Sequence, residues 1–427
     1  MKLCIEKAIY GGSGLARADG KAVFVPFTLP GEVVEAHVTE DRASYASAEL
    51  DSVLEASSAR VSPPCPYFGE CGGCHYQHAT YAQQLEIKVQ ILRETLERAH
   101  LKEIPAIAIV QGEALGYRNR IRLHVDRGSS MLCYKKRGSH ANLAVDACPI
   151  AAPVLGEALK VFLRFVKQWQ LGEYFEEIEF FTNAEQSSIL ITLWSSHGAN
   201  AVKEKLQRLW PQLVDQIPRI AGAAVLSSER GKQRDKVLAL AGEQALTYQS
   251  AGRDYRVSLG SFFQVNRFLI DALVKLVVAE HSGAVVWDLY AGVGLFASAL
   301  APCFERVVAV ESAPSSVPDL RRNLDDGLHR VVASSTLDFL RRALGSRQLK
   351  PDFVVVDPPR AGLGKEVTAL LGEIRPEHIT YVSCDPATLS RDLKSLLDSG
   401  YHLKNMYMVD LFPQTFHLES VAMLSLS

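Results

Sequence analysis

In the second half of the chain, short apolar runs alternate with helical segments, and this repeat leaves few folds open. Residues 284–290, 306–311, 330–333, 353–357 and 379–382 each have the length and composition of a buried strand, with helical stretches between them. A strand–helix–strand repeat of this kind closes as a parallel, doubly wound sheet, because the crossover helices must cover both faces. Residues 401–409 and 421–426 would complete the sheet. The expected class over residues 255–427 is therefore α/β. In such sheets ligands bind beyond the carboxyl ends of the strands.

The residues at those ends carry chemistry. The first run leads into Ala291-Gly292-Val293-Gly294. Two glycines let the backbone pass close to a ligand, but a third is missing, so a dinucleotide fingerprint is not met. Asp288, just before them, suits the ammonium of S-adenosylmethionine better than a pyrophosphate. Seventeen residues past Gly294 the second run ends in Glu311, where a carboxylate can accept hydrogen bonds from both ribose hydroxyls. The plain alternative is a glutamate at a helix start. Asp338 falls where an adenine-edge contact would lie. Asp357-Pro358-Pro359 makes a rigid corner with the carboxylate aimed at the crevice. Cys384 follows the run 379–382; Pro386 ends that strand, and Thr388 or Ser390 can cap the next helix. Free cysteines are usually buried and inert, yet a thiol at a strand end among these neighbours is placed to act as a nucleophile.

With 427 residues the chain is too long for one ordinary core and implies two or three domains. Residues 1–58 read as short strands with glycine turns, which favours a small barrel of the oligonucleotide-binding kind. Next comes Cys65-Pro66-Tyr67-Phe68-Gly69-Glu70-Cys71-Gly72-Gly73-Cys74, a glycine-rich loop that turns successive thiolates to one centre. Cys148, followed by Pro149, is the expected fourth ligand; the spacing leaves an iron–sulfur cluster and zinc both open. Leu85, Val89, Leu92 and Leu96 recur at helical spacing, giving an amphipathic helix. Residues 115–140 hold Arg118, Arg120, Arg122, Arg127, Lys135, Lys136 and Arg137 against Asp126, with Tyr117 and Tyr134 among them. That composition suits a phosphate-contacting surface with stacking rings, and a solvated hairpin face is the alternative. The net charge of −2 means that any nucleic-acid site must be a local patch. The opening residues lack the apolar core of a signal peptide, and no apolar run spans a bilayer. A cytoplasmic protein without membrane association is expected, with cysteines free, catalytic or metal-bound rather than disulfide-paired.

Gly11-Gly12-Ser13-Gly14-Leu15-Ala16-Arg17, Gly20-Lys21 and Leu29-Pro30-Gly31-Glu32 resemble the TRAM domain, an RNA-binding module. Gly260-Ser261-Phe262-Phe263-Gln264-Val265-Asn266, Asp288 to Gly294, Asp357-Pro358-Pro359-Arg360, Ser383-Cys384-Asp385-Pro386-Ala387-Thr388 and Phe412-Pro413-Gln414-Thr415-Phe416-His417-Leu418-Glu419 follow in order. Together with the cysteine loop, these motifs resemble the RNA uracil-5-methyltransferase family, specifically its iron–sulfur members acting on 23S ribosomal RNA. The resemblance implies a Rossmann-like class I methyltransferase domain (81–103 and 251–427), an OB-like TRAM barrel (1–58) and a central α+β iron–sulfur domain (59–80 and 104–250). It implies Cys384 as nucleophile and Glu419 as base. Gln264, Tyr290, Glu311 and Asp357, with Asp338 added, would line the S-adenosylmethionine site. Cys65, Cys71, Cys74 and Cys148 would hold a [4Fe-4S] cluster. Leu295 stands where many members carry a polar residue. RNA, ribosomal RNA favoured, is the expected partner of a monomeric protein. The alternatives are 5-methyluridine formation in transfer RNA and a non-catalytic iron–sulfur RNA-binding protein. A cytosine-5 methyltransferase would share the strand-end cysteine but would not need Glu419 in its motif.

Overall fold

The computed structural model describes residues 1–217, 219–229, 235–279, 281–324, 327–345 and 350–426. Three larger sheets organise it. The first is six-stranded and curled, built from Lys2–Cys4, Lys7–Ala8, Ser13–Ala18, Lys21–Pro26, Val33–Asp41 and Tyr45–Glu55. Alternate residues point inward, as a sheet with one wet face requires. Leu3, Ile5, Val23, Val25, Val34 and Ala36 form its core.

The middle sheet has seven strands between Arg120 and Gly242, with the helices Pro153–Gln168 and Ala199–Gln216 against it. Its strand Ile189–Ser195 is buried throughout, because helices cover one face and the neighbouring hairpin and catalytic core cover part of the other.

The third sheet has eight strands and carries the site. In spatial order they are Arg330–Ala333, Phe304–Glu311, Gly283–Leu289, Phe353–Val356, His378–Ser383, Glu419–Leu426, Tyr401–Val409 and Ile107–Val110. The first five run parallel, and Glu419–Leu426 runs against its neighbours on both sides. The order reverses between Gly283–Leu289 and Phe353–Val356, so a crevice opens beyond their carboxyl ends. Ile107–Val110, grouped with the central region in the sequence reading, pairs in parallel with Tyr401–Val409. Four residues just after Pro105 gave too little pattern to assign them to a sheet. The helix Tyr81–Arg98 packs on the catalytic side through Leu85, Leu92 and Leu96. Among the described residues, no helix is long and apolar enough to cross a membrane.

Candidate active site

The cysteine strand, His378–Ser383, is buried from Ile379 to Ser383 and delivers Cys384 to the crevice. Asp385, rather than Thr388 or Ser390, caps the helix that follows: its Oδ1 accepts from the backbone N–H groups of Ala387 and Thr388 at 3.0 and 2.9 Å. The antiparallel strand Glu419–Leu426 begins where the parallel strands end. The ladder closes with Ser383 paired to Ser420; Cys384 and Glu419 are the next residues along their strands, near enough for the Glu419 charge to act on the thiol. Glu419 is 4% exposed.

The electrostatics of this pair are unusual. Burial pushes the Cys384 thiol up to about 11; the carboxylates of Glu419 and Asp357 add to the rise, and the Arg360 guanidinium opposes it. Burial also holds Glu419 well above the ordinary carboxylate range, with Asp357 reinforcing the effect. Asp357 itself is raised to about 7 by burial, opposed by the Gln264 amide, whose Nε2 donates to Oδ2 at 3.3 Å. Asp288 rises to about 7 for the same main reason. Its Oδ2 accepts from Ala297 N–H at 2.7 Å, while Oδ1 is buried without a partner. Clustered acids at the mouth of one crevice, with an orphaned carboxylate oxygen among them, fit a cationic ligand.

The remaining crevice residues follow the glycine turn. Tyr290 has φ +67°, and Gly292 and Gly294 have φ +56° and +92°. A Cβ on Gly292 would meet nothing within 4 Å, so the backbone there borders open space. Glu311 accepts from Gly292 N–H at 2.8 Å through one oxygen and from Ser312 and Ala313 N–H, each at 2.6 Å, through the other. Asp338 is different. It lies exposed on the first turn of the helix Thr336–Leu344, where its carboxylate accepts from the Ser335 hydroxyl at 2.7 Å, as in a capping turn. Leu295 is buried in the core behind the glycine turn.

The four loop cysteines converge. Cys65, Cys71, Cys74 and Cys148 are free, and each lies close enough to the other three for their charges to interact. Burial raises the first three, Cys74 to about 12. The loop is zipped onto the middle sheet by Gly72 N–H to Lys135 O at 3.0 Å and Arg137 N–H to Glu70 O at 2.8 Å. Among the described residues, no group of three or more His, Cys, Asp or Glu side chains is gathered to hold a metal ion.

Of the seven basic residues in the stretch, Arg120, Arg122 and Arg137 are held by acids from elsewhere in the chain. Arg120 pairs with Glu179 at 2.9 Å and lies over the Phe181 ring at 4.2 Å. Arg122 pairs with Glu177 and stacks 3.7 Å over Trp194. Arg137 grips both Glu49 oxygens at 2.7 Å. Tyr117 is fully buried. The acids come from Val33–Asp41's partner strand Tyr45–Glu55 and from Glu177–Thr182, far away in sequence, so counting charges locally could not find them.

Sequence reasoning also passed over residues that the fold brings to the site. Arg360 lies beside Cys384 and reaches His417 Nδ1 at 3.4 Å. Tyr10, at the tip of a barrel hairpin, donates to Asp385 Oδ2 at 3.4 Å and meets the Phe416 ring edge-on at 5.3 Å. Gln84 and Lys88 are buried against the loop before Glu419. A lysine inside the apolar stripe of an amphipathic helix was the available signal for the last.

Comparison with known proteins gives the family and the fold. Residues 80–426 match the family described as tRNA (uracil-5-)-methyltransferase, and residues 4–50 match the TRAM domain. A 23S rRNA (uracil(1939)-C(5))-methyltransferase of Shewanella amazonensis is 32% identical, over 99% of this chain and 95% of its own. A protein of Aquifex aeolicus described as an uncharacterized RNA methyltransferase is 32% identical over 99% of this chain and 98% of its own. The crystal structure of a Pyrococcus abyssi tRNA (uracil-54, C5)-methyltransferase with S-adenosyl-L-homocysteine has the same fold. It superposes with a TM-score of 0.77 at 23% identity, covering 99% of this chain and 100% of that one.

Proposed function

The chain belongs to the tRNA (uracil-5-)-methyltransferase family, and from that premise we propose that it moves the methyl group of S-adenosylmethionine to carbon 5 of one uridine in 23S ribosomal RNA, with Cys384 as nucleophile and Glu419 as base. Carbon 5 of uracil is too electron-poor to attack the sulfonium. The Cys384 thiol gives its proton to water as its sulfur adds to carbon 6, and the electron pair of the 5,6 double bond moves into the ring carbonyl. Carbon 5 of that enolate then takes the methyl group, and S-adenosylhomocysteine leaves. Glu419 removes the carbon 5 proton, the C5–H pair re-forms the double bond, and the carbon–sulfur bond breaks to release the thiolate. The uridine must leave its stack to reach the pocket.

The observation that supports this reading is the strand pairing that ends at Ser383 and Ser420, with Cys384 and Glu419 next along their strands and interacting in charge. The raised Glu419 supports it too, since a carboxylate that resists ionisation is a stronger base once ionised. Asp288, Glu311, Asp357 and Gln264 would receive the cofactor: Asp357 and Asp288 would face its positive charges, and Glu311 its ribose. Tyr290 would border the adenosine. Asp338, already engaged in capping, would contribute at most an edge contact to the adenine.

Cys65, Cys71, Cys74 and Cys148 would hold a [4Fe-4S] cluster. Four mutually close thiols free of disulfides suit such a group. Arg118, whose Nε is buried without a partner near Tyr134, itself a neighbour of Cys148, would offset the negative charge of the cluster. The cluster would order the loop; no step of methyl transfer passes through it. The barrel would bind RNA, the central region would carry the cluster, and the enzyme would act as a monomer.

The test is to map 5-methyluridine in total RNA with and without the protein. One modified position in 23S RNA is expected. Modification confined to transfer RNA would replace the target, and no change in either RNA would overturn the reading.

A further inference from the structure

Residues 410–418, the segment that leads into Glu419, have no regular secondary structure. Five consecutive backbone carbonyls in it are nevertheless all engaged. Asn266 Nδ2 donates to Asp410 O and Leu411 O at 3.3 and 3.2 Å, and Lys88 Nζ to Phe412 O at 2.9 Å. The Tyr117 hydroxyl donates to Pro413 O at 3.0 Å. The N–H groups of His75 and Tyr76, from the cysteine loop, both donate to Gln414 O, at 2.8 and 3.0 Å. Gln414 has φ +69°, a left-handed conformation that a non-glycine residue keeps only when its surroundings impose it.

Two side chains of the helix Tyr81–Arg98, four residues apart and so on one face, supply much of that constraint. Gln84 Nε2 donates to Gln414 Oε1 at 3.0 Å, and Gln414 N–H donates back to Gln84 Oε1 at 2.9 Å. Lys88 reaches Asp410 Oδ1 at 2.6 Å, with both side chains fully buried. Desolvation pulls the Lys88 pKa down, against the pull of Asp410. Taking two charges out of water is costly, and apolar pairs of similar volume are commonly as stable or more so. Stability alone therefore does not explain an ion pair at this position. What the pair adds is geometry: one ammonium fixes Asp410 and Phe412 at once, while the glutamine pair fixes Gln414.

We propose that Gln84 and Lys88 are positioning residues that hold the 410–414 loop, and through it Glu419, in place to remove the carbon 5 proton. The inference rests on Glu419 being the base. Its specific consequence is that loosening this grip slows elimination from the covalent adduct and spares the earlier steps.

The test uses full-length Lys88→Met/Asp410→Leu and Gln84→Leu proteins, with Glu419→Gln as the reference. RNA–protein adduct formation and decay are followed on denaturing gels, and S-adenosylhomocysteine binding and melting are measured alongside. Cofactor affinity and the rate of methyl transfer into the adduct should stay within about threefold of wild type, while adduct decay slows by at least about tenfold, so that adduct accumulates. If Glu419→Gln accumulates adduct and these variants do not, the proposal is overturned and the base assignment stands. If Glu419→Gln yields none, the base assignment fails first and takes the proposal with it. Loss of folding in both variants would make the two residues purely structural and would also overturn it.

Discussion

Lowering the pH from 8 to 6 should weaken S-adenosylmethionine binding by about tenfold for each carboxylate that the cofactor's charges need ionised. Asp288 and Asp357 both titrate near 7 instead of the ordinary 3.8, chiefly because they are buried. A group titrating near 7 is about nine-tenths ionised at pH 8 and about one-tenth at pH 6. If both must ionise, the loss reaches about a hundredfold, less whatever their mutual repulsion has already contributed to the shifts. Calorimetric titration across this range, in buffers of different ionisation enthalpy, reads the affinity and the protons released together. Asp357→Asn should flatten the dependence by one group. S-adenosylhomocysteine, which lacks the sulfonium charge, should show a shallower dependence than S-adenosylmethionine. Without cofactor, the same two groups hold more protons folded than unfolded between about pH 4 and pH 7, so the cofactor-free protein loses stability as the pH rises through that window. An S-adenosylmethionine affinity that changes less than about twofold from pH 6 to 8 would refute the linkage.

Cys384→Ala should abolish methyl transfer and leave cofactor affinity nearly unchanged, because the thiol acts on the base; residual turnover within about tenfold of wild type would remove it from the mechanism. Anaerobically purified protein should be brown, with about four irons and four sulfides per chain, and Cys71→Ser should bleach it; stoichiometric zinc without sulfide would contradict the cluster. Asp392 is 1% exposed and accepts from the Tyr381 hydroxyl at 2.9 Å and Leu363 N–H at 2.7 Å. Asp392→Ala strands both donors beneath the cysteine strand and should cost about 2–5 kcal/mol in denaturant unfolding, where a loss under about 1 kcal/mol would mean water replaces the carboxylate.

The catalytic sheet was legible because its strands are continuous apolar runs, and each one points a chemically distinct residue at the crevice: Asp288, Glu311, Asp357 and Cys384. Local rules reach that far. They failed where the partner lies far away in sequence. Arg120, Arg122 and Arg137 read as unpaired charges until Glu179, Glu177 and Glu49 fold onto them. The grip of Gln84 on Gln414 spans 330 residues, and no window on the helix contains it. Helix capping misled on a smaller scale: Thr388 and Ser390 have the right chemistry, but Asp385 stands at the turn itself.

The central claim is that Cys384 and Glu419, each next to the last pair of one ladder, act on one base. It is tested most directly by incubating Glu419→Gln with RNA and S-adenosylmethionine and running the products on a denaturing gel. Glutamine keeps the shape of the side chain and removes its basicity. A slow-migrating RNA–protein band carrying a methylated, saturated uracil should accumulate, and it should vanish in the Cys384→Ala/Glu419→Gln double variant. A folded, cofactor-binding Glu419→Gln protein that turns over normally, or that forms no adduct at all, would contradict the account.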